Sequence, residues 1–163
     1  MNSEFSKAVV RKGLLCAAAA LFASGCTPGL KGDRITRELS AEVQRSDRQS
    51  AESRTLSRLA AMERSLNDFI QAEGRIPKRI EELMPKYLAD IPEAELGLRG
   101  HKDAAAVTFY GPEIISEGRI NGAKLQDSGG WGYVYNDRQV ILFVDCVHKM
   151  MSGKLWYEAR GVY

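Results

Sequence analysis

His101 and His148 are the only imidazoles in this 163-residue chain, and Cys16, Cys26 and Cys146 are the only thiols. Zinc sites commonly show as His-x-x-x-His or Cys-x-x-Cys pairs, where one helical turn or one tight loop presents both donors. Neither spacing occurs here. Cys146 follows Asp145 and stands two residues before His148, which raises a thiol nucleophile served by an imidazole base. Positions i and i+2 of a strand share a face, but that alone does not bring sulfur and ring nitrogen into hydrogen-bond contact. A cysteine closing the apolar run Val140-Ile141-Leu142-Phe143-Val144 reads instead as core. His101, in Gly100-His101-Lys102-Asp103, reads as a solvated loop residue. Gly122-Ala123-Lys124 lacks the leading glycine and trailing hydroxyl of a phosphate loop, and no serine stands in a Gly-x-Ser-x-Gly elbow. The expectation is a protein that is not an enzyme, with no catalytic residue, no metal site and no cofactor.

Composition narrows the classes further. With 44% hydrophobic and 27% charged side chains, the chain suits one compact domain with an appendage rather than a disordered tail or a polytopic membrane protein. Lys7, Arg11 and Lys12 against Glu4 account for the whole formal charge of +2. The remainder is balanced and lacks the basic footprint that nucleic-acid binding needs. Three cysteines cannot form a disulfide framework at this size.

Residues 1–25 join a short basic region to Gly13-Leu14-Leu15-Cys16-Ala17-Ala18-Ala19-Ala20-Leu21-Phe22 and then to the small residues Ala23-Ser24-Gly25. At about 1.5 Å per helical residue, that apolar run covers roughly half of a hydrocarbon core about 30 Å thick. It has the anatomy of a secretory signal. Phe22-Ala23-Ser24-Gly25-Cys26 resembles the lipobox of bacterial lipoproteins, with Ala23 where Leu is usual. The resemblance implies that Cys26 receives diacylglycerol and becomes the mature N-terminus. Several acyl chains, at about 0.8 kcal/mol per buried CH₂, would hold the protein at a membrane. Thr27 stands where an inner-membrane retention signal would place Asp, which favours the outer membrane, facing the periplasm or the cell surface. Ordinary signal cleavage is the alternative, and it leaves a Cys26 to Cys146 bridge open.

Beyond the turn-rich Thr27 to Gly32, Asp33 is a plausible N-cap, and no Pro or Gly interrupts the chain until Gly74. The two halves of this helix differ. Ile35, Leu39 and Val43 make a sparse stripe, and Gln44 to Thr55 holds Ala51 as its one apolar residue, a segment read as unable to face a core. It reads as a solvated spacer; a coiled-coil arm would need several heptads. Leu56, Leu59, Ala60, Met62, Leu66, Phe69 and Ile70 then recur at spacings of an amphipathic helix that seeks a sheet. Domain boundaries follow at 1–25 (signal), 26–55 (lipid-anchored linker and polar helix) and 56–163 (head).

Gly74 suits a helix C-cap, Ile76-Pro77 prevents continuation, and Arg79 to Met84 reads as a second short helix. Strands are expected over 105–110, 131–135, 139–147 and 154–158, with 113–124 a loop or weak hairpin. The run Val140 to Val144 is apolar on both faces, so both faces must be covered. Trp131, Tyr133, Tyr135, Trp156 and Tyr157 read as core and cross-strand partners before they read as a binding strip. The fold class is α+β: a long N-terminal helix packed on a small antiparallel sheet of three to four strands.

Ala61 to Leu83, with its Gly74-Arg75-Ile76-Pro77 turn, then Tyr87-Leu88-Ala89-Asp90-Ile91-Pro92 and Gly129-Gly130-Trp131-Gly132-Tyr133-Val134-Tyr135-Asn136, resemble the pseudopilins of type II secretion systems and the wider type IV pilin group. The likeness spans roughly residues 56–160. It implies a pilin-like head and partners among secretion or pilus proteins. The chain shows no prepilin-peptidase site and no run of about twenty apolar residues after it. Gln44 to Thr55 could not pack among apolar filament helices without burying charges at several kcal/mol each. The family's calcium site finds no matching loop: Asp127, Asp137 and Asp145 are oxygen donors by type, where calcium takes six to eight oxygens.

These features together lead to the expectation of a lipid-anchored envelope protein with a pseudopilin-like head, a structural or accessory component of a secretion or pilus-like apparatus. Its partners would be the membrane, through the anchor, and apparatus proteins, with no nucleic acid and no small-molecule substrate. A ligand-binding envelope lipoprotein unrelated to secretion is the alternative.

Overall fold

The computed structural model describes residues 30–137 and 139–160; the signal segment and Cys26 lie outside the described residues. One helix, α1 (Leu30–Glu73, 44 residues), dominates the shape and at 1.5 Å per residue is about 66 Å long. Asp33 falls inside its first turn rather than at the cap, where its charge faces the positive end of the helix dipole. The C-terminus matches expectation: Gly74 has φ +66° and its N–H donates to the Ile70 carbonyl at 2.9 Å, the left-handed closure that glycine adopts without steric cost. Ile80–Leu83 is a single 3₁₀ turn in place of the expected helix. Glu82 closes it by accepting from the Lys78 and Arg79 N–H groups and pairing with Arg75 at 2.7 Å. Among the described residues, no helix is long and apolar enough to cross a membrane.

The chain then forms β1 (Val107–Tyr110), a small hairpin of β2 (Ile115–Ser116) and β3 (Arg119–Ile120), and the hairpin of β4 (Trp131–Tyr135) and β5 (Val140–Val144). The main sheet has the order β1-β4-β5. It is mixed, and this corrects the antiparallel expectation: β1 runs parallel to β4, with Val107 beside Trp131, while β4 and β5 are antiparallel. A parallel neighbour needs a crossover, and residues 111–130 with the β2–β3 hairpin supply it. The expected last strand is also corrected. Trp156 and Tyr157 donate N–H groups to the His148 and Cys146 carbonyls at 3.1 and 3.3 Å, and Trp156–Glu158 then closes into a 3₁₀ turn.

Both faces of β5 are covered, as its apolar run requires. Leu142 and Val144 join Leu59, Met62 and Leu66 under α1, while Phe143 packs with Val134, Ile114 and Ile120 beneath the small hairpin. Phe143 lies against Gly132, its cross-strand partner, where a Cβ would come within 2.2 Å of the ring. Trp131 and Tyr133 are buried and tie the sheet to the helix-turn segment: the indole N–H donates to the Pro92 carbonyl and the phenol to the Pro77 carbonyl, each at 2.6 Å.

The polar half of α1 was expected to face no core, and its last two turns do. Asp33 to Asp47 are exposed, yet Ala51, Glu52 and Thr55 are buried. Hydrophobic periodicity misses Glu52 and Thr55 because they are buried as hydrogen-bonding groups, each with a partner. Docking of the helix therefore begins near Arg48 rather than Leu56.

Glu95 receives Arg54 at 2.7 Å and pairs with Arg58. The Arg54 hydrogen bond, then the Arg58 one, hold its carboxyl below the ordinary value of 4.5 against a small opposing effect of burial. A depressed folded-state pKa contributes stability above the unfolded value and loses it as pH falls through the folded one. Between about pH 5 and pH 3, wild-type protein should therefore lose stability more steeply than Glu95→Gln, measured by urea midpoints across that range.

Candidate functional site

β5 ends at Val144, and the chain turns tightly as the Cys146 N–H donates to the Val144 carbonyl at 2.8 Å. This turn sets Cys146 and His148 at one edge of the sheet. Asp145 between them and the strand is buried, and its carboxylate accepts from the Tyr110 hydroxyl (2.8 Å), the Ser128 hydroxyl (2.6 Å) and the Ser128 N–H (3.2 Å). Backbone bonds between Gly129 and Asp145 and between Asp145 and Gly130, both 2.9 Å, complete the attachment. The 126–130 turn is thereby fixed to the end of β5, and Asp127 is held in it with φ +57°, a left-handed conformation uncommon outside glycine.

Asp127 Oδ1 accepts from the Val147 N–H at 2.9 Å, which turns the carboxylate toward Cys146 and His148. The fourth member arrives from the 98–104 loop. His101 stands over Gly129, where a Cβ would lie 2.6 Å from its Nδ1, so glycine leaves the space that the ring fills. The expectation of a solvated His101 is corrected: its side chain is 9% exposed.

The donor atoms of these four residues converge. His101 Nε2 lies 3.2 Å from His148 Nδ1 and 3.8 Å from Cys146 Sγ, and Cys146 Sγ lies 3.5 Å from His148 Nδ1. Asp127 places Oδ1 at 3.5 Å from His101 Nε2 and Oδ2 at 3.5 Å from His148 Nδ1. All four ligating atoms lie within 4.8 Å of one another. Cys146 is fully buried and the His148 side chain is 52% exposed, so the cluster has one face toward solvent.

Burial pushes the Cys146 thiol up to about 12, with the Asp127 charge adding to the effect and the His148 N–H opposing it. A sulfur so disfavoured as an anion is a poor nucleophile by itself. Partial burial works against the Asp127 carboxylate, but the Val147 N–H, the two histidines and the Cys146 thiol together hold its pKa below the ordinary value.

The sequence showed Cys146 and His148 as neighbours and assigned Cys146 correctly to the interior. It did not bring His101 or Asp127 to them, because both arrive by tertiary packing from loops with no ligand spacing. The Cys-x-His pair was the one local signal. Of the three aspartates considered as oxygen donors, Asp127 joins the cluster, Asp145 is engaged by Tyr110 and Ser128, and Asp137 lies in the turn at the opposite end of the β4–β5 hairpin. Cys26, the expected lipid-attachment residue, lies outside the described residues. Comparison of the chain with protein-family models, with curated proteins and with solved structures finds no match.

Proposed function

We propose that this protein is a non-enzymatic, lipid-anchored envelope protein whose pilin-like head serves as a structural or accessory component of a type II secretion or pilus-like apparatus. The observation that carries the reading is the division of α1, exposed from Asp33 to Asp47 and docked beneath the sheet through Phe69. Acyl chains on Cys26 would fix the position, the exposed stretch would give the head about 20 Å of reach, and the head would make the contacts. The apparatus assignment rests on likeness of sequence and of helix-on-sheet architecture, and so on analogy of fold. A charged, solvent-facing helix half does not suit the apolar axis of a filament, which supports an accessory role over that of a filament subunit.

Of the five aromatic residues read as core, Trp131, Tyr133 and Trp156 are buried there and Tyr157 is half-buried, while Tyr135 is exposed instead, which leaves little of an aromatic strip for a ligand groove. Photo-cross-linkers at Phe109 and Tyr135, apolar residues that are partly exposed on neighbouring strands, test the proposal in native cells. Covalent adducts with secretion or pilus subunits are the expected product. A protein that cross-links to none of them while secretion is running would overturn the assignment.

A further inference from the structure

We infer that His101, Asp127, Cys146 and His148 form a four-coordinate zinc site that clamps three separate chain segments at the end of the sheet. The inference is independent of the proposed envelope role and rests on the cluster alone. A thiolate, two imidazoles and a carboxylate make a borderline-soft donor set that suits zinc, whereas calcium and magnesium take shells of oxygen.

The histidine–aspartate distances favour a metal site over a hydrogen-bonded cluster. Zinc–nitrogen bonds of about 2.0–2.1 Å and a zinc–sulfur bond of about 2.3 Å give a tetrahedron with edges of about 3.3–3.6 Å. The three separations among His101 Nε2, His148 Nδ1 and Cys146 Sγ run from 3.2 to 3.8 Å, close to that range, and with one oxygen of Asp127 all four donors lie within 4.8 Å of one another. Imidazole–carboxylate hydrogen bonds would bring nitrogen and oxygen to about 2.7–3.2 Å. Both such distances here, Oδ1 to His101 and Oδ2 to His148, are 3.5 Å, longer than good hydrogen bonds.

The surroundings are those of a ligand set. The Val147 N–H holds Asp127 Oδ1 at 2.9 Å, leaving Oδ2 turned to the cluster, and the His148 N–H lies 3.4 Å from the Cys146 sulfur. Both N–H groups are aimed at the atoms that carry negative charge in a metal complex, and such outer partners orient the ligands. The half-exposed His148 gives an ion a route in from solvent without opening the core. Binding forms four coordinate bonds and releases the Cys146 thiol proton to solvent, with nothing oxidised or reduced. Four protein ligands close the coordination sphere, which marks the site as structural.

The test uses the full mature chain, stripped with chelator and titrated with cobalt(II) and then zinc(II). One equivalent of cobalt should give the intense visible bands of tetrahedral coordination and a sulfur charge-transfer band, and zinc should displace it. At a hundredfold excess over Kd, zinc should raise Tm by on the order of 10 °C. Cys146→Ser should abolish the charge-transfer band. His148→Gln, at a half-exposed position whose replacement leaves the core intact, should weaken zinc binding about 100-fold or more. Absence of the cobalt spectrum in the folded wild-type chain would overturn the site, and so would zinc binding of equal strength in wild type, His148→Gln and Asp127→Asn.

Discussion

Deleting residues 30–47 should leave the head's unfolding transition in place, while extending the deletion to residue 55 should lower its stability by about 3–5 kcal/mol. For a domain of this size that is a fall in Tm of more than about 10 °C in a calorimetric scan. The contrast follows from where polar groups of α1 are spent. Asp33 to Asp47 are exposed throughout and contribute i,i+3 and i,i+4 ion pairs such as Arg34–Glu38, which are worth little at the surface. From Arg48 onward the same kind of residue bonds the head. Arg48 donates to the Lys149 carbonyl at 2.8 Å, and the Glu52 carboxylate accepts the Met151 N–H at 2.8 and 3.0 Å. Thr55 is fully buried, donating to the Glu95 carbonyl at 2.7 Å and accepting from the Glu95 N–H at 2.8 Å. Gly97 lets this loop lie against the helix, since a Cβ there would stand 3.1 Å from Arg48 Cα. Removing residues 48–55 leaves those loop groups unpaired beneath what remains of the helix. Equal stability of the two truncated chains would show that the docked turns contribute nothing.

Asp145→Ala is expected to cost about 3–5 kcal/mol in urea denaturation at neutral pH, and Tyr110→Phe only about 1–2. The carboxylate is fully buried and satisfied by neutral donors: the Tyr110 hydroxyl, the Ser128 hydroxyl and the Ser128 N–H. Alanine removes the shared acceptor of all three at once, whereas Tyr110→Phe removes one donor and also the acceptor of the Gln126 N–H. Burial of its ring raises the Tyr110 pKa well above the ordinary value, with the Asp145 charge adding to the effect and the Gln126 N–H opposing it. The hydroxyl therefore stays protonated and able to donate across the whole working pH range. The same change frees the 126–130 turn that presents Asp127, so the zinc site should weaken with it. An Asp145→Ala protein as stable as wild type would refute the view that this network fastens the turn.

Local signals made part of this legible in advance. Gly74 closes α1, Trp131 to Tyr135 and Val140 to Val144 pair as a hairpin, and both-face burial of β5 follows from its unbroken apolar run. Three features depended on long-range packing and left no comparable trace. The parallel placement of β1 is set by a crossover, and the alternation of Val107 to Tyr110 says nothing about strand direction. Burial of Glu52 and Thr55 is invisible to any hydrophobic stripe, because their partners lie in loops at Met151 and Glu95. The four-donor cluster joins a loop, a turn and a strand exit, with no spacing rule linking His101 and Asp127 to Cys146 and His148. Its nearest approach to a local signal was Cys146 followed two residues later by His148, a pattern equally at home in a core strand.

An intact mass of the protein isolated from its own membranes bears most directly on the proposed role. The expected mass is that of a chain beginning at Cys26 and carrying a diacylglyceryl group, lost in Cys26→Ser along with membrane retention. An unmodified N-terminus on the membrane-bound protein would contradict the anchor, and with it the account of α1 as a spacer between lipid and head.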